Sequence, residues 1–325
     1  MRILAVTNLW PTPGSFRGVF VAEQVEGLRK LGHDVDVEVV AQSRGAKDYL
    51  LAAPRVRRRA RSARYDLVHV HYGLTSLSSR LVGRVPRVLS LYGSDINEPW
   101  QARITRLTAG RPAARVYPSK RLVEAAGDPA GVVVPNGIDF DLFTPLRPDE
   151  RAAARERLGF KPDDLVVLFG AAPDNAVKRY DIFTAVLAGL AERGLPVREL
   201  ILPAPGQVRA DVVPKFAAAD LLLVTSRQGT ESGPLIVKEA AAMGLPVVSA
   251  DVGDASEVLA GVTPSAVVPF PDPASDRELV SALVAAAAEV LGSGARSDAR
   301  SKIARYDQAA VVRELESVYT RVLSR

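Results

Sequence analysis

A chain of 325 residues, 47% apolar and 24% charged, has the length of about two domains and enough apolar material to fill their cores. It has no cysteine, which excludes disulfides, thiolate metal sites and cysteine nucleophiles and suits a reducing compartment such as the cytosol. The net charge of +5 is modest but unevenly placed.

The chain opens on an apolar strand, RILAV (2–6), broken by Asn8 and Pro11 too soon for the apolar core of a signal peptide. A loop rich in proline and glycine follows, and then VFVAEQVEGLRKLG (19–32), with Val21, Val25, Leu28 and Leu31 at helical spacing and Gly32 as stop. DVDVEVV (34–40) alternates as a strand. The next stretch, Arg55 to Arg64, holds six arginines in ten residues. Such a run is either a solvated helix face or a patch for anionic lipid headgroups or a phosphorylated acceptor, each cation near a charged membrane surface being worth about 1 kcal/mol. Nucleic acid fits less well, because no aromatic residue interleaves with the arginines and no nucleic-acid module is present. DLVHVH (66–71), PRVLSLY (86–92) and ARVYPS (114–119) are further short strands. His69 and His71 share a strand face, as two metal ligands would, but no third ligand is in sight and no metal is expected. Trp10 and Trp100 flank loops, where each would either stack on a sugar or pack.

The segment 135–164 breaks this rhythm with proline, glycine and charge, so a first domain is expected over 1–150 and a second over 151–305. The remainder, 306–325, is expected to be a terminal helix returning to the first domain. The second half restarts the pattern with strands LVVLFG (165–170), RELILP (198–203), LLLVTS (221–226), PVVSAD (246–251) and SAVVPF (265–270). Strand, helix, strand repeated in this way predicts an α/β fold with two doubly wound parallel sheets and ligands at the carboxyl ends of the strands, in a cleft between the two. The longest mostly apolar stretch, Leu279 to Leu291, carries Ser281 and Glu289, so no membrane span is expected.

The strand ending at Ser226 delivers the chain into GTESGPLIVKEAAAMGLPVVSAD (229–251). Pro234 suits the first turn of a helix. The N–H groups of Ser232, Gly233, Leu235 and Ile236 would then point outward with the positive end of the helix dipole behind them, a setting that favours phosphate. Glu231 stands just outside this terminus. Glu239 lies about one and a half turns inside it, and both can accept bonds from hydroxyls. One carboxylate for a sugar, a phosphate site and a second carboxylate for a ribose make a layout suited to a nucleotide sugar, although the spacing of two glutamates alone is a weak pattern.

The stretch from Ala217 to Leu259 resembles the donor-binding region of the family 4 glycosyltransferases of the GT-B fold. RGVFVAEQVEGLRKLGHDVDV, DLVHVHYG, PRVLSLYGSDIN, VVVPNGIDFDLFTP and NAVKRYD resemble further segments of that family in its own order, closest to enzymes of teichuronic acid and exopolysaccharide synthesis. The resemblance implies two Rossmann-like domains facing a central cleft. It also implies transfer of a sugar, with retention and without a metal or cofactor, from a uridine or guanosine diphosphate sugar to a cell-envelope glycan or lipid-linked acceptor. Glu231 would contact the donor sugar and Lys178 the diphosphate, these two carrying the chemistry. Glu239 would hold the ribose, and Ser232, Gly233, Pro234, Leu235 and Ile236 the phosphates. Gly14, Gly18, Tyr92, Asp95, Asn97, Asn136 and Gly137 would line the cleft on the acceptor side. The expected place is the cytoplasm, with peripheral contact at the inner membrane face through Arg55 to Arg64.

Two positions depart from the family pattern. Tyr92 stands where many relatives have histidine, and a phenol can donate to a hydroxyl but cannot be a cation near neutral pH. The arginine that accompanies the diphosphate lysine is missing, with Ala171, Ala172 and Asn175 at the comparable places and Arg179 as the substitute at hand. A non-catalytic nucleotide-sugar-binding protein and a nucleotide-sugar epimerase of the same fold are therefore the alternatives. A nicotinamide oxidoreductase lacks its glycine fingerprint.

Overall fold

The computed structural model describes residues 1–12, 17–43, 45–202 and 209–325. They form two compact units, one of Met1–Gly137 with Gln308–Arg325 and one of Ile138–Asp307. The division falls ahead of residue 150 because Phe143 and helix Pro148–Arg157 already belong to the second unit. Phe143 is fully buried in that unit's core, and Arg151 reaches Asp220 at 2.6 Å.

The first unit is a six-stranded parallel sheet. Its strands are β1 (Arg2–Thr7), β2 (Asp34–Val39), β3 (Leu67–His71), β4 (Arg87–Ser90), β5 (Ala114–Tyr117) and β6 (Val132–Val133), in the order β2-β1-β3-β4-β5-β6. A parallel sheet covered on both faces reads as a near-continuous apolar run, as β1 does, whereas β3 alternates valine with two buried histidines. Alternate residues serve different cores. Leu4, Val6, Val68 and Val70 pack with Tyr49, Ala52 and Val56 of helix Lys47–Ser62. Ile3, Ala5, Leu67 and Val88 pack with Val25 and Leu28 of helix Val19–Lys30 and with Val311, Leu315, Val318 and Tyr319 of helix Gln308–Leu323. The last two helices touch at Gly27, where a Cβ would come within 2.6 Å of Val312 Cγ2.

The second unit is a five-stranded parallel sheet of β7 (Leu165–Phe169), β8 (Val197–Ile201), β9 (Leu221–Val224), β10 (Val247–Ala250) and β11 (Ala266–Val268), ordered β11-β10-β9-β7-β8. The chain leaves β7 to one side for β8 and returns to the other side for β9. The switch point therefore lies between the carboxyl ends of β7 and β9, where doubly wound sheets bind ligands. Among the described residues, no helix is long and apolar enough to cross a membrane.

Candidate active site

Lys178 and Glu231 meet at this switch point. Lys178 Nζ donates directly to Glu231 Oε1, which also accepts from Ser226 Oγ at 2.9 Å. The two come from loops after β7 and β9, held together by Thr225 Oγ1 donating to Lys178 O at 2.8 Å and Arg227 N donating to Val177 O at 2.9 Å. Lys178 is 27% exposed and Glu231 15%, so the pair is half out of water and weakly screened. Phe169, Gly170 and Ile236 complete a small cavity beside Lys178. A cavity of about 170 Å³ adjoins it, lined by Arg179, Ser226, Arg227, Phe270 and Asp276 among others.

Helix Leu235–Ala242 starts here, with Pro234 as its N-cap residue rather than inside its first turn. The N–H groups of Leu235 and Ile236 open the helix, and such groups have no acceptor within it. Two glycines set this terminus in place, and neither stood out in the sequence. A Cβ on Gly170 would lie 2.1 Å from Ile236 Cδ1, and one on Gly253 (φ +56°) 2.7 Å from Pro234 Cδ. Ser232 is half-buried and Gly233 buried. Glu239 is 3% exposed on the same helix. One residue earlier, Lys238 forms a fully buried ion pair with Asp254 at 2.6 Å, which ties the helix to the loop after β10.

Arg179 is already matched. Its guanidinium reaches Asp181 and Asp276, each at 2.7 Å. It pins the start of helix Tyr180–Glu192 to that of helix Asp276–Gly292.

The acceptor-side residues lie in the first unit. Gly14 is outside the described residues. Gly18 (φ +79°) is a position only glycine fits, since a Cβ would lie 2.3 Å from Leu9 C and 2.5 Å from Trp10 N. Asp95 does not line a surface. It is fully buried and accepts from the N–H groups of Gly73, Tyr92 and Gly93 at 2.9–3.1 Å, so it shapes the loop after β4. Burial pushes its pKa up to about 6 against those donors. Tyr92 is half-buried, meets His71 Nδ1 through its hydroxyl at 2.7 Å and packs edge-on to Phe20. Burial pushes its pKa up, so it remains a neutral hydroxyl. Asn97 is exposed, Asn136 half-buried and Gly137 buried against Gln308. Trp10 is half-buried against the core, whereas Trp100 is 55% exposed. His69 and His71 bond to Ser90, Tyr319 and Tyr92, and among the described residues no three potential metal ligands come together.

Residues 18–142 match the family described as Glycosyltransferase Family 4, and residues 157–289 match Glycosyl transferases group 1. A D-inositol 3-phosphate glycosyltransferase of Xylanimonas cellulosilytica is 28% identical over 80% of this chain and 73% of its own length. One of Kineococcus radiotolerans is 32% identical over 58% of this chain, and the match spans about half of that relative, 54%. Sucrose-phosphate synthase of Thermosynechococcus elongatus superposes with a TM-score of 0.75 at 16% identity, covering 99% of both chains. Anabaena HepE in complex with UDP-glucose superposes with a TM-score of 0.71 at 19% identity, covering 99% of this chain and 100% of its own. At such identities the likeness is one of fold. With family matches in order over both units and the fold shared along the whole chain, this protein belongs to the family 4 glycosyltransferases of the GT-B fold.

Proposed function

We propose that the chain transfers a sugar from a nucleotide diphosphate sugar, with retention and without metal or cofactor, to a cell-envelope glycan or lipid-linked acceptor. The observation that carries this reading is the Lys178–Glu231 pair beside the opening of helix Leu235–Ala242, at the switch point of the second sheet. As the bond to the diphosphate breaks, negative charge grows on the leaving oxygen. Lys178 and the N–H groups of Leu235 and Ile236 are fixed donors for that charge. Glu231 accepts from hydroxyls of the donor sugar and so orients its reacting carbon, and Glu239 accepts from the ribose. In the first unit Tyr92 and Asn97 serve the acceptor, Gly18 and Asp95 hold the loops that carry it, and Asn136 and Gly137 lie on the same side. The exposed arginines of helix Lys47–Ser62 make peripheral contact with the inner face of an anionic membrane. The names of the sequence relatives add an inositol phosphate to the acceptors worth trying.

The test is release of nucleotide diphosphate from a panel of UDP, GDP and ADP sugars, with envelope extract or inositol phosphate as acceptor. Lys178→Ala should lose on the order of 100-fold in turnover while donor affinity falls much less, since the lysine acts on charge that appears in the transition state. The engagement of Arg179 by two carboxylates favours one second reading, a protein that binds the donor without turning it over. Tight donor binding with no release under any donor would decide for it.

A further inference from the structure

At the opposite edge of the second sheet, the amino ends of β7, β9 and β10 border a cavity of about 470 Å³. That lies within the roughly 300–1,000 Å³ of small-molecule pockets. Its walls are mostly apolar, with Leu165, Ala217, Met243 and Leu291 among them, and its polar groups include Arg151, Arg296 and Asp220.

Asp220 is shared by two arginines, Arg151 at 2.6 Å on one oxygen and Arg155 at 3.1 Å on the other. It also accepts from Val166 N at 2.7 Å. Arg296 is bonded to backbone oxygens, Ala219 O at 2.9 Å and Met243 O at 3.1 Å. Those carbonyls close helices Val213–Ala218 and Leu235–Ala242, and a helix end carries roughly half a negative charge. Asp220 thus serves two guanidiniums, Arg151 in the cavity wall and Arg155 behind it, while Arg296 is held by helix-end carbonyls beside an apolar space. Arg296 is exposed as a residue. Desolvation of its head and repulsion from Arg151 still pull its pKa down to about 10, against the attraction of Asp220.

We propose that this cavity binds a small amphiphilic anion, a phosphate monoester or carboxylate on a short apolar body, with its head between Arg151 and Arg296 and its body against Met243 and Leu291. An anion there relieves the repulsion between the two guanidiniums, and the apolar walls reward a body that leaves water. The site is independent of the donor site, being at the other end of the strands.

The probes are hexyl phosphate and hexanoate, with hexanol and inorganic phosphate as controls, titrated calorimetrically into the full chain. At least one charged amphiphile should bind with Kd near or below about 1 mM, and hexanol should bind about tenfold more weakly or less. A saturating nucleotide diphosphate should leave that binding unchanged. Arg151→Gln leaves Asp220 to Arg155 and should weaken binding by about tenfold. Ala295→Trp fills the cavity and should abolish binding with the circular dichroism of the wild type retained, which keeps the test open if Arg151→Gln does not fold. Equal binding of hexanol and the anions, unaltered binding by Ala295→Trp, or no binding of either anion up to about 10 mM would each overturn the proposal.

Discussion

His69 and His71 stand side by side on β3, ring centroids 3.9 Å apart and each 1% exposed. A proton on either would cost hydration, so desolvation holds both pKa values down, His71 to about 3 and His69 well below its usual value, with its neighbour adding to the effect. Folded, both are neutral, His69 between Ser90 Oγ at 2.7 Å and Tyr319 OH at 2.6 Å. Unfolded, both take up a proton near pH 6.5. Below that pH the unfolded chain binds more protons, so stability falls with acidification, by up to about 1.4 kcal/mol per pH unit for each histidine. Asp95 works the other way. With its pKa raised from 3.8 to about 6, the folded chain holds a proton between those values that the unfolded chain lacks. Two histidines outweigh one aspartate, so urea unfolding of the first unit should show a net loss of stability from pH 7 to pH 5. His71→Gln should reduce that loss, and a stability that is flat or rises toward pH 5 would show the pair to be charged in the fold. At the donor side, Glu239→Ala should weaken binding of the bare nucleotide diphosphate by about 1.5–3 kcal/mol, the range for a hydrogen bond to a charged group. Calorimetry reads this directly, and unchanged affinity in a folded variant would remove Glu239 from the ribose.

Helix Lys47–Ser62 divides its arginines by face. Arg55 and Arg59 turn to β2, where both pair with Glu38 and Arg59 also reaches Asp36 at 3.4 Å. Arg57, Arg58 and Arg61 are exposed and share a groove with Pro54, Ser62 and Leu81. Leu50, Leu51 and Leu81 are 61%, 57% and 49% exposed, an apolar complement beside the cations. If this face meets an anionic bilayer, changing Arg57, Arg58 and Arg61 to glutamine should cut binding to vesicles containing anionic lipid. Wild-type binding should fall with salt as the Debye length shrinks toward about 3 Å at 1 M. Arg59→Gln should instead lower stability with little effect on vesicles, and equal vesicle binding by all three proteins would leave the groove without this partner. The sequence showed the run of cations but not this division, because period alone does not say which turn faces β2. The strands were legible since β1, β7 and β9 are buried on both faces and read as apolar runs. The two-residue β6 is too short to carry a pattern. The helix that starts after Pro234 was legible from the proline and the apolar run behind it. Gly170, Gly253 and the engagement of Arg179 by Asp276 depend on partners far along the chain, which local spacing does not encode.

The chain returns to its first unit at its end, and that return carries much of the unit's lower core. Val311, Val312, Leu315, Val318, Tyr319 and Val322 are all buried against Ile3, Ala5, Leu67 and Val88. Glu316 adds a contact to His33 at 2.8 Å. At about 1.5–3 kcal/mol for each large apolar side chain, the helix contributes on the order of 10 kcal/mol to the first unit. Whole domains are stable by only about 5–15 kcal/mol. The second unit has its own core, from Ile138 to Tyr306, which owes nothing to this helix. A chain ending at Asp307 should therefore lose the fold of the first unit and keep that of the second. In hydrogen exchange, the amides of β1, β3 and β4 should lose protection while those of β7, β9 and β10 keep theirs. The same truncated chain should still bind a nucleotide diphosphate, since Lys178, Glu231 and Glu239 all lie between Ile138 and Asp307. Protection of β1 and β3 that survives the truncation would mean that the remaining helices suffice to cover that face of the sheet.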